Sequence, residues 1–312
     1  MPLPPSFKNL RIPAVAAPMF LASGPDLVVE TCRAGVVGTF PALNQRRTEG
    51  FVDWLAEIEG RLAGVPDAAP FGVNLIVHRS NPRIEADLKA VVDHKVPLVI
   101  TSLGAVPDVV KAVHSYGGVV FHDVISRRHA EKAVEAGVDG IVAVCAGAGG
   151  HAGTLSPFAF IPEIRSFFDG TILLSGAIST GAQVAAARLM GADLAYLGTR
   201  FLVTQESMAS QEQKQMTMEA RAGDVVYTPA ISGVNANFLR QSIVAAGLDP
   251  DNLVASGPMD LGHEAKAWKS VWSAGQGVAA IDDIPSAAEL CARLIREYRA
   301  ALSAGAEDRF LS

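Results

Sequence analysis

The sequence predicts a (β/α)8 barrel. Three observations point there. Eight short, continuously apolar segments recur along the chain, as expected of parallel strands covered on both faces. Helix-like stretches separate them. The helix-to-strand joints share one form: RAGVVG (Arg33–Gly38), EAGVDG (Glu135–Gly140) and LMGADL (Leu189–Leu194) each end a helix near Gly and enter a strand at once. An open doubly wound sheet is the alternative, but no GxGxxG follows the first strand.

The candidate strands are Ala14–Met19, Val36–Phe40, Phe71–Leu75, Leu98–Gly104, Val119–Val124, Gly140–Ala146, Thr171–Ala177 and Leu194–Thr199. Of the helices between them, Ser126 to Gly137 is the clearest: the Ser126 hydroxyl can accept an orphan amide hydrogen, and Gly137 tolerates a positive φ. After the eighth strand the pattern changes. Residues 203–278 carry polar helix-like sequence and then Gly-, Asn- and Pro-rich loops, which reads as an insertion or lid over the substrate pocket. Residues 1–202 and 279–312 would form the barrel domain, closed by a final helix from Ser286 to Ala304.

Bulk properties narrow the function. The chain has 312 residues, 49% hydrophobic and 19% charged, enough to fill one large barrel core. The net charge of −6 and the lack of a Lys/Arg run argue against nucleic acid. No apolar run reaches the roughly 18 residues of a spanning helix, and the opening MPLPPSFKNLRIP lacks the features of a signal peptide. Cys32, Cys145 and Cys291 are odd in number and far apart, which suits a reducing cytoplasm rather than a disulfide framework or zinc site. No histidine pair has metal-ligand spacing with carboxylates, so no metal is expected.

Barrel active sites lie at the C-terminal strand ends. Those ends carry Ala17-Pro18-Met19, Asn74, Thr101 to Gly104, His122-Asp123, Ser175-Gly176-Ala177 and Gly198-Thr199-Arg200. The sixth delivers VCAGAGGHAGTLSPF, in which Ala148, Gly149 and Gly150 precede His151. A histidine stripped of bulky neighbours suits an acid/base group beside a ligand that backbone can approach closely. The glycines ending strands seven and eight suit a phosphate cradle, to which Thr199 adds a hydroxyl. Asn74 can both donate to and accept from a heterocycle edge. Of His122 and Asp123, alternation sends one toward the ligand and the other toward the barrel wall. His78, His94, His114, His129 and His263 read as solvated residues.

The segments AAPM, FGVNL, AGAGGHAG, LLSGAIS, YLGTRF and WSAGQG, in this order, resemble the nitronate monooxygenase family, over about Ile12 to Leu294. The resemblance implies a (β/α)8 flavoprotein that binds FMN without a metal. It implies FMN contacts at Asn74, Gly150, Gly176, Ala177, Gly198 and Thr199, an isoalloxazine wall of Ala17 and Met19, and a catalytic or substrate-anchoring His151. The implied reaction is oxidation of a nitronate with O2 to a carbonyl compound and nitrite. Two departures stand out: Asp123 where some relatives carry Lys, and Gly176-Ala177 where the family has two glycines. An NAD(P)H-dependent FMN reductase of quinones or 2-enoyl thioesters is the second reading, and a non-redox barrel for a phosphorylated ligand or flavin the third. A homodimer is compatible with all three.

Overall fold

The computed structural model describes residues 3–254 and 270–311. Eight parallel strands close a barrel: β1 (Ala14–Ala16), β2 (Val37–Pro41), β3 (Phe71–Ile76), β4 (Leu98–Ser102), β5 (Val119–Val124), β6 (Gly140–Val144), β8 (Thr171–Ser175) and β9 (Leu194–Leu197), with β9 returning to β1 through Ala14↔Ala195 and Ala16↔Leu197. The predicted (β/α)8 class is therefore the observed one. All eight predicted strands exist, but five end earlier than the apolar runs do. The first stops at Ala16 rather than Met19, and the eighth at Leu197 rather than Thr199. Residues past those points leave the ladder and turn into the site.

The helix–strand joints form as predicted, with Gly35, Gly137 and Gly191 at φ +81°, +85° and +100°. Ser126 caps the helix Arg127–Glu135 by accepting from the His129 amide. The final helix, Ala287–Ala306, opens on a capping box in which Ser286 and Glu289 satisfy each other's backbone amides. It packs on the helices Gly181–Leu189 and Pro25–Arg33 and so closes the outer ring.

Alternation along each strand sorts the side chains into two layers. Val73, Val99, Val120, Ile141, Ile172 and Ala195 face the helices. Val15, Leu98, Ile100, Phe121, Val142, Leu173 and Leu194 fill the barrel interior. Phe7 plugs the N-terminal end, its ring edge-on to Phe121 at 5.8 Å.

A second sheet sits over the other end. β10 (Val225–Thr228) and β11 (Ala236–Leu239) form a hairpin, and β11 also pairs antiparallel with β7 (Gly150–His151). The segment after the eighth barrel strand thus pairs directly with the histidine loop.

Candidate functional site

The interior face at the C-terminal end carries the chemistry. The inward register that places Leu98, Ile100 and Phe121 in the core next presents Ser102 on β4 and Asp123 on β5. Asn74 on β3 lies between the outward-packed Val73 and Leu75, so it too points inward. Ala17, Ser175 and Tyr196 complete the ring around a cavity of about 1740 Å3.

Three of these residues form one polar chain. Asn74 Nδ2 donates to the Ile100 carbonyl (3.1 Å) and to Ser102 Oγ (2.7 Å). Ser102 Oγ in turn donates to Asp123 Oδ2 (2.5 Å). Both amide hydrogens of Asn74 are spent inside the protein, so it offers a ligand only its carbonyl oxygen, not the expected donor as well. Asp123 Oδ1 is buried and has no hydrogen-bond partner among the described residues. Burial pushes the Asp123 carboxyl up to about 6, against the Ser102 hydrogen bond and the field of His151. Burial also raises the Tyr196 phenol well above its ordinary range, and Asp123 adds to that shift.

His122 takes the opposite side of β5, where its Nδ1 shares a 2.7 Å hydrogen bond with Thr101 Oγ1. Burial, and then His129, push its pKa down to about 4, so the ring is neutral at pH 7. The sequence left open which of the pair faces inward; the inward register selects Asp123.

The histidine loop is clamped. Gly150 N donates to Ser273 Oγ (2.6 Å), and Ser273 Oγ donates on to the Asn237 carbonyl (2.6 Å). Asn237, 3% exposed, donates from Nδ2 to the Ala148 carbonyl (2.7 Å). His151 itself pairs in register with Ala236. Gly149 was expected to let backbone approach a ligand. Its α-carbon instead lies against another glycine-bearing segment: a Cβ there would sit 2.9 Å from Gly275 N and 3.2 Å from Thr199 Oγ1. The glycine permits backbone-to-backbone packing of the loop on 272–277, while its edge still reaches the cavity.

The expected phosphate cradle is partly committed. Gly176 has φ +145° and Ala177 φ +54°, a left-handed conformation that costs an alanine roughly 1 kcal/mol. The Ala177 amide donates to the Gly147 carbonyl (3.3 Å), so it is engaged within the protein. Thr199 Oγ1 accepts from Gly275 N (2.9 Å), which leaves its own hydrogen to donate. Gly198 is open: an added Cβ would find nothing closer than Ala17 Cβ at 3.8 Å and Met19 at 3.9 Å. Arg200, next in the GTRF motif, is buried to 1% exposure and bonds Asp283 Oδ1 (3.1 Å), so it ties the final helix's entry to the barrel rather than facing ligand.

Two of the histidines read as solvated line the cavity: His78, bonded to Ser80 Oγ (2.8 Å), and His129. His94 and His114 are surface partners of Glu59 and Asp139. His263 lies outside the described residues. Asn237 and Ser273 join the site without a local signal, since each is brought there from a distant segment, whereas Tyr196 lies on the predicted eighth strand, where the inward register it shares with Leu194 marks it. Burial pushes all three cysteines up to about 12, so none supplies a thiolate. Among the described residues no group of three His, Cys, Asp or Glu could hold a metal ion, and no helix is long and apolar enough to cross a membrane.

This geometry has relatives. Residues 81–297, more than half of the chain, match the family model described as nitronate monooxygenase. A nitronate monooxygenase of Paraburkholderia phytofirmans is 27% identical, the alignment covering 92% of each protein. A carboxyl-CoA dehydrogenase of a hydroxylated methyl-octahydroindenone, from Rhodococcus jostii, is 26% identical over 76% of this chain. The chain spans 65% of that protein's length and 60% of another curated relative's. The crystal structure of a nitroalkane oxidase from Streptomyces ansochromogenes matches at a TM-score of 0.81 and 24% identity, covering 94% of this chain and 97% of that one; this likeness speaks to the fold.

Proposed function

The chain belongs to the nitronate monooxygenase family and is a flavin-dependent oxidoreductase, and from that premise we propose that it binds FMN and oxidises a nitronate with O2 to a carbonyl compound and nitrite. The observation that carries this reading is the placement of His151 on a clamped strand that borders the same cavity as the Asn74–Ser102–Asp123 chain.

The residues present fit the cofactor. The wall of Ala17 and Met19 at the end of the first strand suits a flat ring laid against the strand ends. The Asn74 carbonyl suits a ring N–H, and Gly176, Gly198 and Thr199 suit a phosphate, in the region where barrels commonly hold one. The Ala177 amide is engaged, so less of the anion's coordination falls to it. Met19, Ala148, Gly149, Gly150, Ser175 and Ala177 border the same cavity, and with Asp123 they complete the proposed set; His122 abuts it from the far side of β5. When bound, FMN supplies the electron-accepting chemistry, and the protein supplies position and electrostatics.

His151 anchors the nitronate oxygens when it carries a proton. When neutral it takes the α-proton of a nitroalkane. The β7–β11 pairing fixes its backbone, and the Ser273 and Asn237 bonds hold the residues before it. Apolar side chains of Met19 and Ala17 exclude water from one wall. A reducing cytoplasm and a homodimer remain part of the proposal.

One observation favours a second reading. The cavity of about 1740 Å3 must seat FMN and a substrate together, and it exceeds the roughly 300–1,000 Å3 of a site for one small molecule; the Rhodococcus relative is named for a CoA-linked substrate. An NAD(P)H-dependent reductase of a quinone or 2-enoyl thioester would use such room. The test is oxygen uptake and nitrite release with an alkyl nitronate and FMN-loaded protein. Absence of both sinks the nitronate reading, and rapid anaerobic bleaching by NAD(P)H favours the reductase.

A further inference from the structure

Asp123 stands out among the groups of the cavity. It is held from one side only. Ser102 donates to Oδ2, and the Asn74 amide orients that serine by donating to its oxygen, so the serine proton is directed at the carboxylate. Oδ1 is buried without a hydrogen-bond partner among the described residues, on a side chain that borders the cavity. An unpaired buried carboxylate oxygen is costly and is relieved in one of two ways. A ligand or solvent molecule donates a hydrogen to it, or it becomes protonated and donates one.

The chemistry of the proposed substrate class selects between these. A nitronate presents two acceptor oxygens and a negative charge, and no N–H or O–H. Against an ionised Asp123 it meets like charge at low dielectric and two acceptors face to face. Against a protonated Asp123 the conflict becomes a hydrogen bond.

We propose that Asp123 is a proton-linked specificity residue: the site takes up one proton from solvent as it receives an oxyanionic substrate, and the Oδ1–H so formed donates to an oxygen of that anion. The inference rests on the nitronate reading for the identity of the substrate, and on the geometry of Asp123 for the proton. The balance is simple. A carboxylate, a solvent proton and an anion become a carboxylic acid hydrogen-bonded to the anion, with no change of oxidation state. The groups facing Asp123 are Ser102 from the neighbouring β4, Asn74 behind that serine on β3, His151 from β7 and Tyr196 from β9; His122 lies behind it on β5, with His129 and Lys132 on the following helix. The Asp123 carboxyl, near 6 before the anion arrives, is ionised at neutral pH and rises further beside a second negative charge. Anion binding therefore weakens as pH rises.

The probe is nitrate, a planar oxyanion with no oxidisable carbon, titrated calorimetrically into FMN-loaded protein in buffers of different ionisation enthalpy. Uptake of about one proton per nitrate is expected near neutral pH, with the apparent Kd rising about tenfold per pH unit above it. Asp123→Asn keeps a donor at the same place without a titrating group, so its nitrate binding loses Asp123's share of the uptake and flattens with pH. Ser102→Ala removes the bond that favours the carboxylate and moves the pH dependence upward while keeping the uptake. Binding without proton uptake, uptake unchanged in Asp123→Asn, or no nitrate binding even in mild acid each overturns the proposal. Proton-linked nitrate binding in a protein that makes no nitrite from nitronates overturns the turnover reading and leaves the Asp123 site standing. Nitronate turnover with pH-independent nitrate binding does the reverse.

Discussion

Replacing Asn237 with Ala probes how the barrel holds its histidine. The side chain is 3% exposed and gives one hydrogen bond, Nδ2 to the Ala148 carbonyl at 2.7 Å, two residues before the β7 pairing begins. Its loss leaves a buried carbonyl unsatisfied, which costs about 1–3 kcal/mol. An unfolding entropy of about 2 cal/mol/K per residue makes each kcal/mol worth about 1.5 °C in a chain of this length, so Tm should fall by about 1.5–4.5 °C. The strain is local, and 1.4 kcal/mol is a factor of ten, so kcat/KM should fall about 5- to 140-fold. Circular dichroism gives the first number and steady-state oxygen uptake the second. A variant with lowered Tm and wild-type kcat/KM would show that the clamp serves the fold and not the placement of His151.

Other perturbations separate the remaining parts of the site. His151→Asn should retain FMN, seen as an unchanged flavin spectrum, and lose about 10²–10⁴-fold in turnover; wild-type turnover removes His151 from the mechanism. Gly149→Ala forces a Cβ within 2.9 Å of Gly275 N, a backbone atom that yields only by moving 272–277, and should cost about 1–3 kcal/mol in urea denaturation. Gly198→Val fills space that no protein atom occupies closely, so FMN affinity should fall while the Tm of the flavin-free protein stays within a degree or so; unchanged affinity would show that the phosphate does not lie there. In Asp123→Asn the pH dependence of stability should change in a defined sense. The folded carboxyl sits near 6, above its unfolded value, so wild-type stability from Asp123 is present in acid and lost as pH rises through about 6. His122, held near 4, acts oppositely and adds stability as pH rises from about 4 to its unfolded value. The variant removes the first slope and keeps the second, so its stability should climb more steeply over that window; parallel curves for the two proteins refute the assignment.

The fold was legible because its signal is local and repeated. Continuous apolar runs recur eight times, glycine-ended helices lead into three of them, and each strand core carries its own evidence. Strand ends were misjudged where apolar residues such as Ala17 and Met19 serve the cavity instead of the ladder, since hydrophobicity does not distinguish a core wall from a ligand wall. β7 was invisible in sequence because two residues, Gly150 and His151, pair with a strand some 85 residues later. The same distance hid Asn237 and Ser273. Glycine chemistry was read correctly in kind and incompletely in object: Gly149 marks a close approach, but toward Gly275 as well as toward the cavity. Ser102 could have been singled out, because it shares the inward register with Asn74 and Asp123 on neighbouring strands.

Anaerobic mixing of the FMN-loaded protein with an alkyl nitronate, followed by admission of air, tests the central claim most directly. Bleaching of the flavin absorbance by the nitronate, recovery in air and accompanying nitrite, all lost in His151→Asn, is the predicted result. A flavin that stays oxidised with nitronate but bleaches with NADH or NADPH would contradict it.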